Sequence, residues 1–332
     1  MTDFYEVLSK LDKKTRERVL AASDIHIEYV KTPVLSLNRA LNGGLPLGRQ
    51  VMVYGNKSSG KSSLCLEICA EAQKNGKVVA WMDAEKTFDP EWASRLGVDT
   101  EHMIVEQVSD AVRLTADVSQ LMQAGVDVIV VDSISSIVPM SYFEKDSLEL
   151  KGLEAARQIG TSAKDLGEMV KIWNQSNENT LLILISQVRN KLGSMYVTTQ
   201  PTGGFAPKFY SSTVVKLWSS ESEKQAKLGE VRRGEYATTE PIGREVSWTI
   251  ENSKTSRPFQ TGTYDFYFEG GFVGVDRVAE VADEAVKYGL IEKGGAWYTI
   301  GETRIQGRDK LINHLRSLPD DFEALVKELE SI

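Results

Sequence analysis

The stretch Gly55-Asn56-Lys57-Ser58-Ser59-Gly60-Lys61-Ser62-Ser63 matches G-x-x-x-x-G-K-[ST], a loop that cradles phosphate groups. Its flanks fit the motif. Gln50-Val51-Met52-Val53-Tyr54 before it is strand-like. Leu64 to Ala72 after it spaces apolar residues as a helix does. Gly55 and Gly60 permit backbone angles that let successive N–H groups turn towards one anion. The helix N-terminus adds unsatisfied donors and a positive dipole end. In such a loop Lys61 reaches the outer phosphates and the Ser62 hydroxyl holds Mg2+. Residues 55–63 are therefore expected to bind ATP with Mg2+.

Outward from the loop, strand-like and helical runs alternate. Lys77–Asp83, Met103–Val105, Val126–Ser133 and Thr180–Gln187 read as strands, and Ala111–Ala124 and Glu154–Gln175 as helices. The strands are near-continuous apolar runs. The pattern predicts an α/β fold with a mainly parallel sheet covered on both faces. Residues 4–22 read as one amphipathic helix, which must bury its apolar face on this chain or on a neighbouring subunit. Short strands follow at 213–218, 245–250 and 263–268, with a polar insert from Glu221 to Thr239 expected as an exposed hairpin or loop. Residues 272–290 are helical again. A last unit combines the strand Ala296–Ile300 with helices near 308–317 and 320–330. The expected division is an N-terminal helix and linker over 1–33, a core over 34–271 and a small α+β domain over 272–332.

The chain has 332 residues and is 41% apolar, enough for a sizeable core. Its net charge of −8 does not attract nucleic acid in bulk, so any such binding must come from local basic patches. Cys65 and Cys69 lie on the apolar face of the helix after the loop and read as packing. A metal site would need more ligands, and the three histidines are scattered. No apolar run approaches the ~18–20 residues of a membrane span, and the acidic start is unlike a signal peptide. A cytoplasmic location is the expectation.

Acids and amides end the predicted strands, at the edge where ligands sit in a doubly wound sheet. Asp132 follows four apolar residues and suits a metal role beside Ser62. Glu85 ends the neighbouring strand and is the candidate to orient or activate water. Gln187 ends the next core strand, where its amide can touch the terminal phosphate and report ATP state to the loop that follows. That loop, 188–207, carries Arg189, Lys191 and the Gly203-Gly204 pair, with Lys208 just beyond it. Such donors suit a phosphodiester chain. A surface loop of accidental composition accounts for them equally well.

Several runs together resemble the RecA recombinases. They are Ser36-Leu37, Gly43-Gly44-Leu45-Pro46-Leu47-Gly48-Arg49, the phosphate loop, Asp83-Ala84-Glu85 with Asp89-Pro90, and Val128-Ile129-Val130-Val131-Asp132-Ser133. Gln187-Val188-Arg189, Thr202-Gly203-Gly204 with Lys208-Phe209-Tyr210, and Leu290-Ile291-Glu292-Lys293 with Gly295-Ala296-Trp297-Tyr298 complete the set. The resemblance spans nearly the whole chain, in order. It implies a RecA-like ATPase core and a DNA strand-exchange ATPase that forms a helical filament on single-stranded DNA, with ATP between neighbouring subunits. It also implies pairing with duplex DNA. By resemblance Glu85 activates water, Gln187 senses the terminal phosphate and Lys254 reaches a neighbour's ATP. Segments 138–152 and 188–207 resemble the two DNA-binding loops. Arg157, Lys164, Arg189, Lys191, Leu192, Gly203 and Gly204 match DNA-contacting positions, and Phe209 an interface residue that couples ATP to DNA.

The chain departs from the family in places. Asn252 stands where the family carries the first of two lysines, and Phe205 where it carries asparagine. The sequence ends at Ile332 without the acidic tail common in bacterial members, which predicts readier access to duplex DNA. The alternative is a RecA-fold ATPase acting as a regulator or protein-binding filament without strand exchange.

Overall fold

The computed structural model describes residues 3–16, 19, 22–138, 143–144, 147–150, 161–190, 199–201, 205–219, 226–233 and 236–332. Its main sheet is built from β1 (Gln50–Gly55), β2 (Val79–Asp83), β3 (Met103–Glu106), β4 (Val128–Asp132), β5 (Leu181–Asn190) and β6 (Thr199–Pro201). It continues with β7 (Thr213–Trp218), β8 (Ala226–Arg233), β9 (Tyr236–Ser253), β10 (Thr261–Tyr267) and β11 (Gly274–Val275). The order across the sheet is β11-β10-β9-β7-β1-β5-β4-β2-β3, with β6 added to β5 and β8 to β9. Strands β7, β1, β5, β4, β2 and β3 run parallel, and β9, β10 and β11 extend the sheet antiparallel.

Every residue of β1, β2 and β4 is buried, because helices cover both faces. Alternate residues divide between two cores, as a period of two requires. Val51, Val53, Trp81, Val128, Val130, Ile183 and Ile185 pack with Leu37 of α3 (Leu35–Ala40), with Leu64, Cys65, Ile68 and Cys69 of α4 (Lys61–Lys74) and with Ala93 of α5 (Pro90–Arg95). Met52, Met82, Ile129, Val131, Leu182 and Leu184 pack on the other face with Leu114 and Val118 of α6 (Ala111–Gln123) and Met169, Val170 and Trp173 of α7 (Thr161–Ser176). Both cysteines are buried in the first core, as their spacing predicted. A third core joins α9 (Arg277–Lys287), α10 (Arg308–Ser317) and α11 (Pro319–Ser331) to a three-stranded sheet over 292–306.

Three sequence expectations change. The helix expected over 4–22 is broken into α1 (Phe4–Ser9), α2 (Lys13–Arg16) and a 3-10 turn at Ala22–Asp24. Asp12 starts the second piece by accepting from the Thr15 amide at 3.0 Å and its hydroxyl at 2.7 Å, which competes with a continuous helix. No residue of α1 or α2 is buried. The segment 188–207, expected to be irregular, begins as strand: β5 runs on to Asn190 and β6 pairs with it antiparallel. The other loop, 138–152, contains a two-stranded ladder of 143–144 with 147–150. The described part of the polar insert, expected as an exposed hairpin or loop, keeps to that expectation: β8 pairs antiparallel with the first half of β9.

Candidate active site

The loop between β1 and α4 has little freedom. A Cβ on Gly55 would sit 1.9 Å from the Leu217 carbonyl oxygen, so β7 approaches too closely for any side chain. Gly60 takes φ +81° and opens α4. The Asn56 amide brackets the loop from outside, donating to the Ser219 carbonyl at 2.8 Å and accepting from the Ser219 amide at 3.2 Å. Arg244 on β9 donates to the Ser58 carbonyl at 2.9 Å. Lys61 is only 8% exposed. Its Nζ folds over the loop and donates to the Asn56 carbonyl at 2.8 Å. Burial pulls the Lys61 pKa down, while the Asp132 and Glu85 carboxylates oppose that.

The sheet register gathers the acids beside it. Asp83 pairs directly with Asp132, and Gly55 stands level with Gln187. Burial pushes Asp132 up to about 6; a hydrogen bond from Ser62 and the charge of Lys61 oppose this, while Glu85 and Asp83 add to it. Asp83 is also buried and accepts from the amides of Thr87 at 3.1 Å and Phe88 at 3.0 Å, which fixes the turn that carries Glu85. The backbone amides of Ala84 and Glu85 in turn donate to the Asp132 carbonyl. Glu85 Oε1 accepts from Ser133 Oγ at 2.6 Å, Gln187 Nε2 at 3.0 Å and Ser136 Oγ at 3.3 Å.

A hydroxyl and a buried carboxylate destabilised by neighbouring acids form a donor set that suits a hard divalent cation. Among the described residues no group of three or more His, Cys, Asp or Glu could hold a metal. Ser62 and Asp132 alone would leave most positions around such a cation to other ligands. The arrangement as a whole is an anion cradle with a lysine on one side and carboxylates on the other.

The RecA N-terminal domain model matches residues 5–273, and the RecA C-terminal domain model matches residues 279–331. The chain belongs to the RecA family. The chain is 35% identical to Protein RecA of Thermus aquaticus over 307 residues, covering 91% of this chain and 84% of that one. It is also 35% identical to Protein RecA of Caulobacter vibrioides (strain NA1000 / CB15N) over 312 residues, covering 92% and 82%. A crystal structure of the RadB recombinase aligns with TM-score 0.49 and 18% identity, over 69% of this chain and 92% of that one.

Among the described residues of this RecA-family chain, Lys254, Phe209, Lys164 and Arg189 were also singled out in the sequence. Lys254 follows the end of β9, where Ser253 pairs with Thr213 at the start of β7. The cradle lies at the other end of β7, where Leu217 meets Gly55. Four residues of strand, ~13 Å, separate the two levels. Lys254 therefore cannot reach its own chain's loop. Phe209 on α8 (Ala206–Tyr210) is 74% exposed and Phe205 beside it 86%. Lys164 is exposed on α7, 4.0 Å from Glu168. Arg189 lies in β5 opposite Gln200. Arg157, Lys191, Leu192, Gly203 and Gly204 fall outside the described residues.

Two groupings were missed in the sequence. The first is Ser133, Ser135 and Ser136, whose signal is hydroxyls directly after a strand-ending acid. The second joins Tyr54, Glu251 and Lys208: the Tyr54 hydroxyl donates to Glu251, and Lys208 Nζ lies 2.5 Å from the same carboxylate. Burial works against ionisation of Glu251, but hydrogen bonds from Lys208 and Tyr54 outweigh it and lower its pKa. Glu251 and its partners are far apart in sequence, so no local pattern marks them. Among the described residues no helix is long and apolar enough to cross a membrane.

Proposed function

We propose that the protein is an ATP-dependent DNA recombinase. It forms a helical filament on single-stranded DNA, pairs it with homologous duplex DNA and exchanges strands, hydrolysing ATP to ADP and phosphate. The observation that carries the reading is the convergence of Lys61, Ser62, Asp132, Glu85 and Gln187 on one sheet edge, in a chain of the RecA family. In this reading residues 55–63 hold the phosphates, and Ser62 and Asp132 hold Mg2+, which would neutralise phosphate charge when bound. Glu85 activates water, and Gln187 senses the terminal phosphate. Lys254 acts on the nucleotide of a neighbouring copy, which its distance from its own loop favours. Arg157, Lys164, Arg189, Lys191, Leu192, Gly203 and Gly204 contact DNA, and Phe209 couples subunits. Residues 1–33 serve subunit packing, 34–271 form the ATPase core, and 272–332 contact duplex DNA.

A second reading, a RecA-fold filament that binds protein without strand exchange, draws on Asn252. That exposed position offers no charge to a neighbour's phosphates. The ATPase rate with and without single-stranded DNA separates the two. The recombinase reading expects stimulation by DNA, and losses of about a hundredfold or more in kcat for Lys61→Ala and Glu85→Gln. An ATPase indifferent to single-stranded DNA, in a protein that binds no DNA with ATP present, would leave only the second reading.

A further inference from the structure

The turn that follows β4 is tied to both functional strand ends. The Ser136 amide donates to the Ser133 carbonyl at 3.0 Å, which closes a tight turn over 133–136. The pairing of β4 with β5 stops at Val131 and Leu184, and the turn continues the contact in another way. The Ile134 amide donates to the Ile185 carbonyl at 3.0 Å, and the Gln187 amide donates to Ser135 Oγ at 3.0 Å. On its other flank Ser133 and Ser136 both donate to Glu85 Oε1. Beyond the turn Val138 is clamped between Ser109 and Ala111, with its amide on the Ser109 carbonyl at 2.8 Å. The turn is thus pinned at both ends and has little room to drift.

These hydroxyls act unequally on the two oxygens of Glu85. Oε1 takes three donors, from Ser133, Ser136 and the Gln187 side chain. Among the described residues Oε2 accepts no hydrogen bond. A carboxylate held this way keeps Oε2 as the oxygen open to a further donor. Ser135 meanwhile holds the backbone of the residue that supplies the third donor.

We propose that Ser135 and Ser136 are positioning residues for ATP hydrolysis, which hold Glu85 and Gln187 so that Glu85 Oε2 is the oxygen that takes the proton of the attacking water. In that step the water oxygen forms a bond to the terminal phosphorus, the bond from that phosphorus to the bridging oxygen breaks, and ADP and phosphate leave. The water proton passes to Oε2 and later to solvent. The proposal rests on the reading of Glu85 as the water-activating group and adds residues that no motif assigns.

Threonine and valine share a shape and differ by the hydroxyl, so they separate positioning from packing at these half-buried sites. The assay is steady-state ATP hydrolysis with single-stranded DNA, with kcat and KM determined separately. Ser136→Val and Ser135→Val are each expected to lower kcat about fivefold, the loss of one hydrogen bond, with KM within about twofold. Ser136→Thr and Ser135→Thr are expected to restore kcat. In a Glu85→Gln background, measured by single turnover, Ser136→Val is expected to have no further effect. Threonine and valine variants with equal kcat would overturn the proposal, as would a Ser136→Val factor that is the same in both backgrounds. If Glu85→Gln keeps the parent rate, the reading of Glu85 falls and this proposal with it. A sensitive Glu85 beside insensitive serines overturns the positioning role alone.

Discussion

Replacing Glu67 with glutamine is expected to remove a pH dependence of stability that the parent carries below neutral pH. Glu67 lies on α4 and is buried against β10 and β11. Its oxygens lie 3.0 and 3.3 Å from the Val275 amide, a single donor for two acceptors. Gly274 makes this approach possible, since a Cβ there would lie 2.5 Å from Glu67 Oε1. Burial pushes the carboxyl up from 4.5 to about 7; the Val275 amide, Arg277 and Lys74 oppose it, and Glu71 adds to it. The folded pKa exceeds the unfolded one, so the folded chain binds the proton more tightly. Stability from this group is therefore full below 4.5, falls as the pH rises through about 7 and is then gone. Between about pH 5.5 and about pH 8 the parent should lose about 2 kcal/mol from this group. Glutamine keeps an acceptor for the Val275 amide and cannot ionise. Urea unfolding at the two pH values measures the difference. Glu280, also near 7 for the same reason of burial, contributes a similar slope to both proteins and cancels in the comparison. Equal slopes in parent and Glu67→Gln would mean that Glu67 stays charged in the fold, and the burial argument would fail.

Gly274 takes φ +98°, so Gly274→Ala is expected to lower stability by about 1 kcal/mol or more, from backbone strain and contact with Glu67. An unchanged urea midpoint would remove the strain argument. Asn252→Lys places a second cation two residues before Lys254 and is expected to raise kcat with single-stranded DNA several-fold, up to about tenfold, by adding charge at the reacting phosphate. The same kcat as the parent at saturating DNA would show that this position faces no phosphate.

The central fold was legible because its strands are unbroken apolar runs. Val128–Val131 and Leu181–Ile185 cannot be amphipathic helices at that length, and each ends in a polar residue that marks the sheet edge. The convergence of Asp132, Glu85 and Gln187 on one edge was legible for the same reason, since parallel strands of one sheet bring their ends together. Asp12 hid the break in the first helix, because a capping residue inside a charged run looks like ordinary helix surface. β6 was hidden because three residues with a proline give no alternation to read. The serine turn was hidden by its chemistry: serine suits turns anywhere, and only contacts with Glu85 and Gln187 separate these from the rest. The Tyr54–Glu251–Lys208 grouping needs the register of β9 against β7, which carries a bulge that no composition announces.

The role proposed for Lys254 carries a consequence for counting. In the proposed assembly each protomer borrows this lysine from a neighbouring copy. In any open row of copies the last has no lender, so the row holds one fewer complete site than it has members. Turnover per mole of protein should then rise with protein concentration and level off in long rows. The two ends would also differ, one offering an unused lysine and the other an unattended nucleotide. Growth and loss of subunits at those ends would answer to ATP differently, so the row acquires a direction from the placement of one side chain.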